Sequence, residues 1–440
     1  MATASVKHLY TGSNTGVLYT DRRDFYLNPT TFSELFKSEV PFTTLARKNR
    51  KTGLKDPVFK MFQFENTFMR RYIRNNGSSV TIAAASSGAS AESGAVTIDG
   101  VTGYGSHSTI DSSFVHNIYE VWDSGLTTKR GVCILTDDTS GTTAKFRNLG
   151  TTAISTVDND YFIHISNAQE DGSEAPDAYS SELEVVWNQC QNFKNPLELK
   201  GAILDAALRG DSNELLRLRA EKFKQHKVDI EGAFMRGKAP LGTNLGGADT
   251  FTDLDALVGD NSDIIRTTYG IIPAIEDYGS SSGDYQNIWT YPKATMKYAD
   301  FVDMSEKMFQ YYPPDDMLYA ISGRGALSFW SKMEYARGVK SNWTVQISEM
   351  KKDRMGFNVQ YLETPHGVLA LTKSDALRFE YNDYMVVPDD RYLSYHEFKP
   401  SVFKQNVKTD NDYEGQKDLY KSNVGLGLTH IKTHSLVKLT

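Results

Sequence analysis

The sequence predicts an α+β protein assembled from a long helix, a β-rich segment and a mixed segment. Residues 211–237 carry an uninterrupted helical pattern. Residues 77–165 are rich in Ser, Thr, Gly and Ala, with short β-type runs between turn clusters. Residues 291–400 alternate helical and strand patterns.

Residues 1–55 read as an extended arm. Polar turns such as Thr11-Gly12-Ser13-Asn14 separate isolated apolar clusters (Phe32, Leu35, Phe36), and the basic cluster Arg47, Lys48, Arg50, Lys51, Lys55 closes the segment. It has too little contiguous apolar surface for its own core and needs another surface to lie on. Residues 56–76 are aromatic-rich and fit a strand or a helical turn. Phe59, Phe62, Phe64 and Phe68 are expected to be packed. Within 77–165 the clearest strands are Val115 to Trp122, Gly131 to Leu135 and Tyr161 to Ile165. Asp137-Asp138-Thr139-Ser140-Gly141 and Asp158-Asn159-Asp160 read as turns between them. Regular short strands imply a small barrel or sandwich. Residues 166–199 begin polar and acidic, become strand-like at Leu183, Val185 and Trp187, and read as a long hairpin.

The helix follows. Asp211 stands at the N-cap position and Glu214 completes a capping-box-like pair, while Gly237 is the expected stop. At ~1.5 Å per residue it spans roughly 39 Å. Leu216, Ala220, Phe223, Lys227, Ile230 and Phe234 share one face. We expect Leu216, Phe223, Ile230 and Phe234 to lie on the protein's own sheet, with Lys227 at the rim or paired to an acid. Residues 238–290 are loop-rich around an apolar stretch, Thr268 to Tyr278. Helices are expected over Phe301 to Tyr311 and Gly325 to Ala336, with a strand at Tyr319 to Ser322. Two further strands flank Pro365-His366-Gly367, and Val424, Leu426 and Leu428 mark a last alternating strand.

The chain has 440 residues, enough for two or more domains, and an ordinary soluble composition. It contains no run of ~18 apolar residues, and its first residues lack the apolar core of a secretory signal. Cys133 and Cys190 are too few for a disulfide framework or a zinc site and are read as two buried thiols. The net charge of −7 is unevenly spread. Residues 1–76 hold 13 Lys and Arg against 6 Asp and Glu, whereas residues 77–182 hold 4 against 14. A basic arm on an acidic body fits an arm that meets a neighbouring copy or nucleic acid.

Motifs for chemistry are weak. Gly279-Ser280-Ser281-Ser282-Gly283 matches the letters of a nucleophile elbow, but a Gly/Ser loop continues into Asp284 and Tyr285 where a helix is required. The Asp-rich turns at 137–138 and 158–160 lack the calcium-loop spacing and read as solvated turns. His430 and His434 fall in a strand pattern, where residues four apart stand roughly 13 Å apart. Gly425-Leu426-Gly427 is a fragment of a dinucleotide loop in a strand. No catalytic, cofactor-binding or metal residue is assigned, no cofactor is expected, and the chain is read as a structural protein.

The order of elements carries more information than any motif. A basic arm, an acidic β-rich insertion, a long hairpin, a long helix, a loop-edged α+β region and a returning strand follow one another. This order resembles the major capsid protein of tailed bacteriophages, the Hong Kong 97 fold. Asp160 to Gly201 is similar to an extended loop. Glu214 to Gly237, with Asp229 and Glu231 ahead of its last turn, is similar to the spine helix. Asn358 to Arg378 is similar to the paired strands of the axial domain. Asn195-Pro196-Leu197 departs from the Ser/Thr-rich strand end expected there. The resemblance implies an N-terminal arm (1–55), the start of a peripheral domain (56–76), a β-rich insertion (77–165), an extended loop (166–199), the spine helix (200–240), an axial domain (241–392) and return strands (393–440). It also implies hexamers and pentamers in a virion shell around double-stranded DNA, assembled in the host cytoplasm with a portal and with scaffolding or decoration proteins, and no membrane. The competing reading is a secreted or tail-associated carbohydrate-binding structural protein.

Overall fold

In the computed structural model the described residues are 40–64, 71–77, 79–85, 93–104, 109–175, 183–200, 214–239, 263–283, 285–338, 351–352, 358–407 and 415–440. They divide into two compact units. One holds the residues up to Phe59 and from Trp187 on, the other Lys60–Val186.

The first unit opens with helix α1 (Pro41–Asn49) and strand β1 (Lys51–Gly53). The end of the stretch read as an extended arm is therefore helical. Pro at the first helical position pre-sets φ, and Phe42, Leu45 and Ala46 fall on one face and are fully buried. Strand β2 (Val58–Gln63) follows, which settles the helix-or-strand question in favour of a strand. Its alternation buries Phe59 but leaves Phe62 71% exposed, and Phe64 just beyond is also exposed. The expectation that these aromatics are all packed is corrected for Phe62 and Phe64, and Phe68 lies outside the described residues.

The second unit contains β3 (Tyr72–Asn75), β4 (Val80–Ile82), β5 (Val96–Thr102), β6 (Asn117–Trp122), β7 (Lys129–Ser140), β8 (Thr143–Asn148), β9 (Ile154–Thr156) and β10 (Tyr161–Asn167). Six of these close into a barrel in the order β10-β3-β5-β8-β7-β6, while β4 pairs with β9. Period-two alternation turns Ile73, Tyr119, Val121, Leu135, Ala144, Phe146 and Phe162 inward, and Phe146 stacks on Phe162 at 4.5 Å. Closure leaves the barrel strands without an open edge. The Asp137–Ser140 stretch continues β7 instead of turning, and the reversal falls at Gly141. Asp160 is not a solvated turn residue. It is 1% exposed, pairs with Arg130 Nε at 3.0 Å and accepts the Val157 N–H at 2.7 Å.

Strand β11 (Glu184–Gln189) pairs with β2, and β12 (Gln191–Lys200) leaves it at Cys190. The strand-like stretch at Leu183, Val185 and Trp187 thus pairs with β2, which precedes the β-rich segment. β12 forms the edge of a four-stranded sheet in the order β1-β19-β20-β12, with β19 (Leu393–Lys404) and β20 (Gly415–Leu428). An edge strand tolerates the missing N–H of Pro196. The long helix α2 (Glu214–Arg236) lies on this sheet, and α3 (Ile271–Tyr278) abuts its C-terminus.

A seven-stranded sheet completes the unit. It comprises β13 (Ile288–Tyr291), β14 (Met317–Ser322), β15 (Lys351–Lys352), β16 (Asn358–Thr364), β17 (Gly367–Lys373), β18 (Tyr384–Val387) and β21 (Ser435–Leu439), in the order β13-β21-β18-β14-β17-β16-β15. Helices α4 (Tyr298–Phe309) and α5 (Arg324–Gly338) bury Phe301, Met304, Met308 and Trp330 against it.

Gly237 ends α2 as expected, by close approach and not by a left-handed turn. Its N–H donates to Ala233 O, and its carbonyl accepts from Gly270 N, both at 2.8 Å. A Cβ on Gly270 would stand 2.8–2.9 Å from Ala233 O, Gly237 N and Phe234 O. All three are backbone atoms, so Gly270→Ala is expected to destabilise the unit by about 1–3 kcal/mol in urea unfolding.

Candidate functional site

The long helix is held by polar contacts. The expected stripe is right at Ile230 and Phe234, which are buried, partly right at Phe223, which is 43% exposed but meets Tyr420 on β20 with ring centroids 5.8 Å apart, and wrong at Leu216, which is 57% exposed. The line facing the sheet runs instead through the half-buried Arg219 and the buried His226, Ile230 and Phe234, and toward the C-terminus Glu231 and Met235 are buried too. Polar side chains that find partners on the sheet displaced the apolar stripe over the first turns. Lys227 is exposed, with Nζ 4.1 Å from the Phe223 ring centroid.

Glu231 joins three segments that are distant in sequence. Val40 offers α1 no side-chain cap, so the first amides of that helix need another acceptor. Glu231 provides it. Oε1 accepts the Phe42 N–H at 3.0 Å and the Ser374 hydroxyl at 3.2 Å. Oε2 accepts the Thr43 N–H at 2.7 Å and its hydroxyl at 2.6 Å. Burial raises the Glu231 pKa from its ordinary value, while the donors from Thr43, Phe42 and Ser374 oppose that rise. The positive end of the α1 dipole favours the anion as well.

One turn earlier, His226 lies between two strands. Nδ1 meets Asn195 Oδ1 on β12 at 2.6 Å and Nε2 meets Ser422 Oγ on β20 at 2.8 Å. Burial pushes the imidazole below its ordinary pKa, opposed by the Asp229 carboxylate. Asn195 Nδ2 donates to Asp229 at 2.6 Å, which gives the unexpected Asn of Asn195-Pro196-Leu197 a role. Two turns earlier, Arg219 Nε donates to the fully buried Asp418 at 2.7 Å. Burial pushes that carboxyl up, but the Asn406 N–H, Arg219 and Gln416 outweigh it and hold it below the usual range.

Asp229 and Glu231 were visible in the sequence through the resemblance. Asn195, Ser374, Asp418 and Ser422 were not, because isolated polar residues in strands and loops carry no spacing signal.

The other motifs stay apart from this site. After α3, Ser280 forms an isolated parallel β-bridge with Gln286 and its N–H donates to Asn287 Oδ1, while Ser281 to Gly283 form bends. Cys133 and Cys190 are buried free thiols. His430 and His434 flank a single 3₁₀ turn, not a strand. His434 is fully buried, and its Nδ1 accepts the Asp389 N–H at 3.0 Å. Burial lowers the pKa of His434 to about 4, and of His396 to about 4 with help from Arg50. A folded-state value below the unfolded one means that the unfolded chain takes up protons first. Stability is therefore present above about pH 6.5 and falls as pH drops toward 4. The fully buried His434 alone should lower unfolding free energy on the order of 2 kcal/mol between pH 7 and 5. Urea midpoints at the two pH values check this, and the dependence should be shallower in His434→Gln.

A helix tied along its length to a sheet, and at its end to the helix that follows the arm, suits a rigid subunit of a larger assembly. The class is that of phage capsid shell proteins with the α+β Hong Kong 97-type fold. The chain belongs to the SU10 major capsid protein family, whose model matches residues 30–439. It is a structural protein of a phage head shell and self-associates in the virion capsid. Among solved structures it is similar to the capsid of a native GTA particle, at 9% identity over 98% of this chain and 99% of that one, TM-score 0.43. It is also similar to Microbacterium phage Oxtober96, at 10% identity over 97% and 98%, TM-score 0.42. A third is the capsid of Cyanophage P-SCSP1u, at 9% identity over 63% and 80%, TM-score 0.40. No curated protein matches the chain.

Proposed function

We propose that copies of this chain form hexamers and pentamers that close into an icosahedral head around double-stranded DNA. Assembly takes place in the host cytoplasm, with a portal at one vertex. In this reading residues 1–55 are the arm, 56–76, 200–240 and 393–440 the peripheral domain, 77–165 the insertion, 166–199 the extended loop and 241–392 the axial domain. The chain acts by packing and not by catalysis.

The observation that carries the proposal is Glu231, which locks the helix after the arm onto the long helix. A segment anchored so firmly at its base can hold the preceding residues in position against a neighbour, and repeated weak contacts then close a shell. Electron micrographs of the purified chain under capsid-assembly conditions should show closed particles. A chain that stays monomeric at high concentration would overturn the proposal.

A further inference from the structure

The outside of the barrel is uneven. On β8 the outward positions are Thr143, Lys145 and Arg147, the polar set of a solvated face. Across β3, β10 and β6 the outward positions carry three aromatic rings. Direct pairing puts Arg74, Tyr161 and Trp122 in one row and Tyr72, Ile163 and Glu120 in the next. Ile118 extends the face along β6, and the 50% exposed Ile165 extends it along β10. The paired positions are all partly exposed, while the residues between them, such as Ile73, Phe162 and Val121, fill the barrel. The rings of Tyr72 and Tyr161 meet edge to face at 5.3 Å. Glu120 is fixed from two sides. Oε2 accepts from Trp122 Nε1 at 3.1 Å, and Oε1 from Lys129 Nζ at 2.5 Å. The hydrogen bond from Lys129 holds the Glu120 carboxyl below its ordinary pKa, against desolvation. Arg74 pairs with Asp99 at 2.9 Å.

A closed barrel builds its core from inward side chains alone, so a group of rings on its outside serves something else. The barrel has no open strand edge, and a peptide therefore cannot add to it as a further strand. Three strands by three rows span roughly 10 Å by 13 Å between Cα atoms, on the order of 300 Å² with the side chains. A stable protein interface takes about 800 Å² from each partner. Nucleic acid needs an excess of Lys and Arg, and here each cation has its own carboxylate, Arg74 with Asp99 and Lys129 with Glu120. What fits is a small neutral ligand with apolar faces and many hydroxyls. Its faces lie against the rings, and its hydroxyls exchange hydrogen bonds with Glu120, Arg74 and the tyrosine hydroxyls. A chain of pyranose rings has this chemistry. Polar groups already fixed beside rigid rings lose little entropy on binding it.

We propose that the β3-β10-β6 face of the barrel binds a neutral polysaccharide, with Trp122, Tyr161 and Tyr72 as its platform and Glu120 and Arg74 as the groups that read its hydroxyls. The site adds a binding function to a shell protein and takes nothing from the shell reading, because every residue of it lies within Lys60–Val186. Repeated on each copy of an assembled particle, even a weak site of this kind gives strong attachment to a glycan-coated surface.

The test uses the full chain on immobilised cellohexaose, maltohexaose, mannohexaose and chitohexaose, with a heparin hexasaccharide as the charged control. Wild type should bind at least one of the neutral glycans, and bind it more tightly than heparin. Trp122→Ala should bind that glycan about tenfold more weakly, with an unchanged circular dichroism spectrum. Glu120→Gln keeps the shape but removes the charged acceptor, and should weaken binding about fivefold. It carries the test if Trp122→Ala does not fold. No binding to any of the four neutral glycans overturns the inference, as does binding to heparin alone. Equal binding by wild type and every folded variant overturns it as well. Self-association that falls about tenfold in Trp122→Ala would mark the face as a protein interface and overturn it too. Particle formation reads the shell proposal separately: a chain that binds a neutral glycan but forms no particles upholds this inference and sinks only the shell reading.

Discussion

Glu231→Ala is expected to cost about 3 kcal/mol of stability and to loosen the chain at α1. The substitution removes four hydrogen bonds at once. It leaves the buried Phe42 amide and the part-buried Thr43 amide without an acceptor, and a buried donor so left costs about 1–3 kcal/mol. Loss of a helix cap alone costs about 0.5–2 kcal/mol. The buried Phe42 and Leu45 side chains still favour docking by about 1.5–3 kcal/mol each, so α1 should open locally before the unit unfolds. Urea unfolding reads the first effect, and faster tryptic cleavage at Arg47, Lys48 and Arg50 reads the second. Glu231→Gln separates charge from shape. Each carboxylate oxygen accepts two donors, and an amide can satisfy only one such pair. We expect the Gln variant to be nearly as unstable as Ala. A Gln variant as stable as wild type would mean that Glu231 is a neutral acid in the fold. An Ala variant within about 0.5 kcal/mol of wild type would end the case for this site.

Asp418→Ala should cost about 3–5 kcal/mol, the range for breaking a buried ion pair from one side. Asp418 is fully buried and Arg219 is 16% exposed. The guanidinium lies 5.3 Å from the Phe403 ring, which holds it at the sheet. Without the carboxylate it loses its counter-ion, and the Asn406 N–H and Gln416 amide lose their acceptor. Arg219→Met combined with Asp418→Ala should recover part of the loss, because no unpaired charge is then left. Chemical denaturation of the two single variants and the double variant measures the coupling. A purely additive double variant would show that the pair does not act as a unit.

The sequence by itself determined the α+β class, the strand-rich segment from 77, the long helix ending at Gly237, and the helices and strands of the mixed region. These elements are set by local periodicity and turn chemistry, as in the Phe301–Phe309 stripe and the Pro365-His366-Gly367 turn. The order of elements added the resemblance to a capsid fold, which the family match then supported. What only the tertiary structure decided is which faces meet. Leu216 looked like core by spacing and Phe223 reaches the sheet only at its edge, against Tyr420, because Arg219 and His226 took the sheet, where Asp418, Asn195 and Ser422 wait. Residues 41–49 looked extended because their acceptor, Glu231, is 188 residues further on from Thr43. Asp160 looked like a solvated turn because Arg130 comes near it only when the barrel closes. In each case a polar side chain is satisfied by a partner far along the chain, and no local pattern records such a pairing.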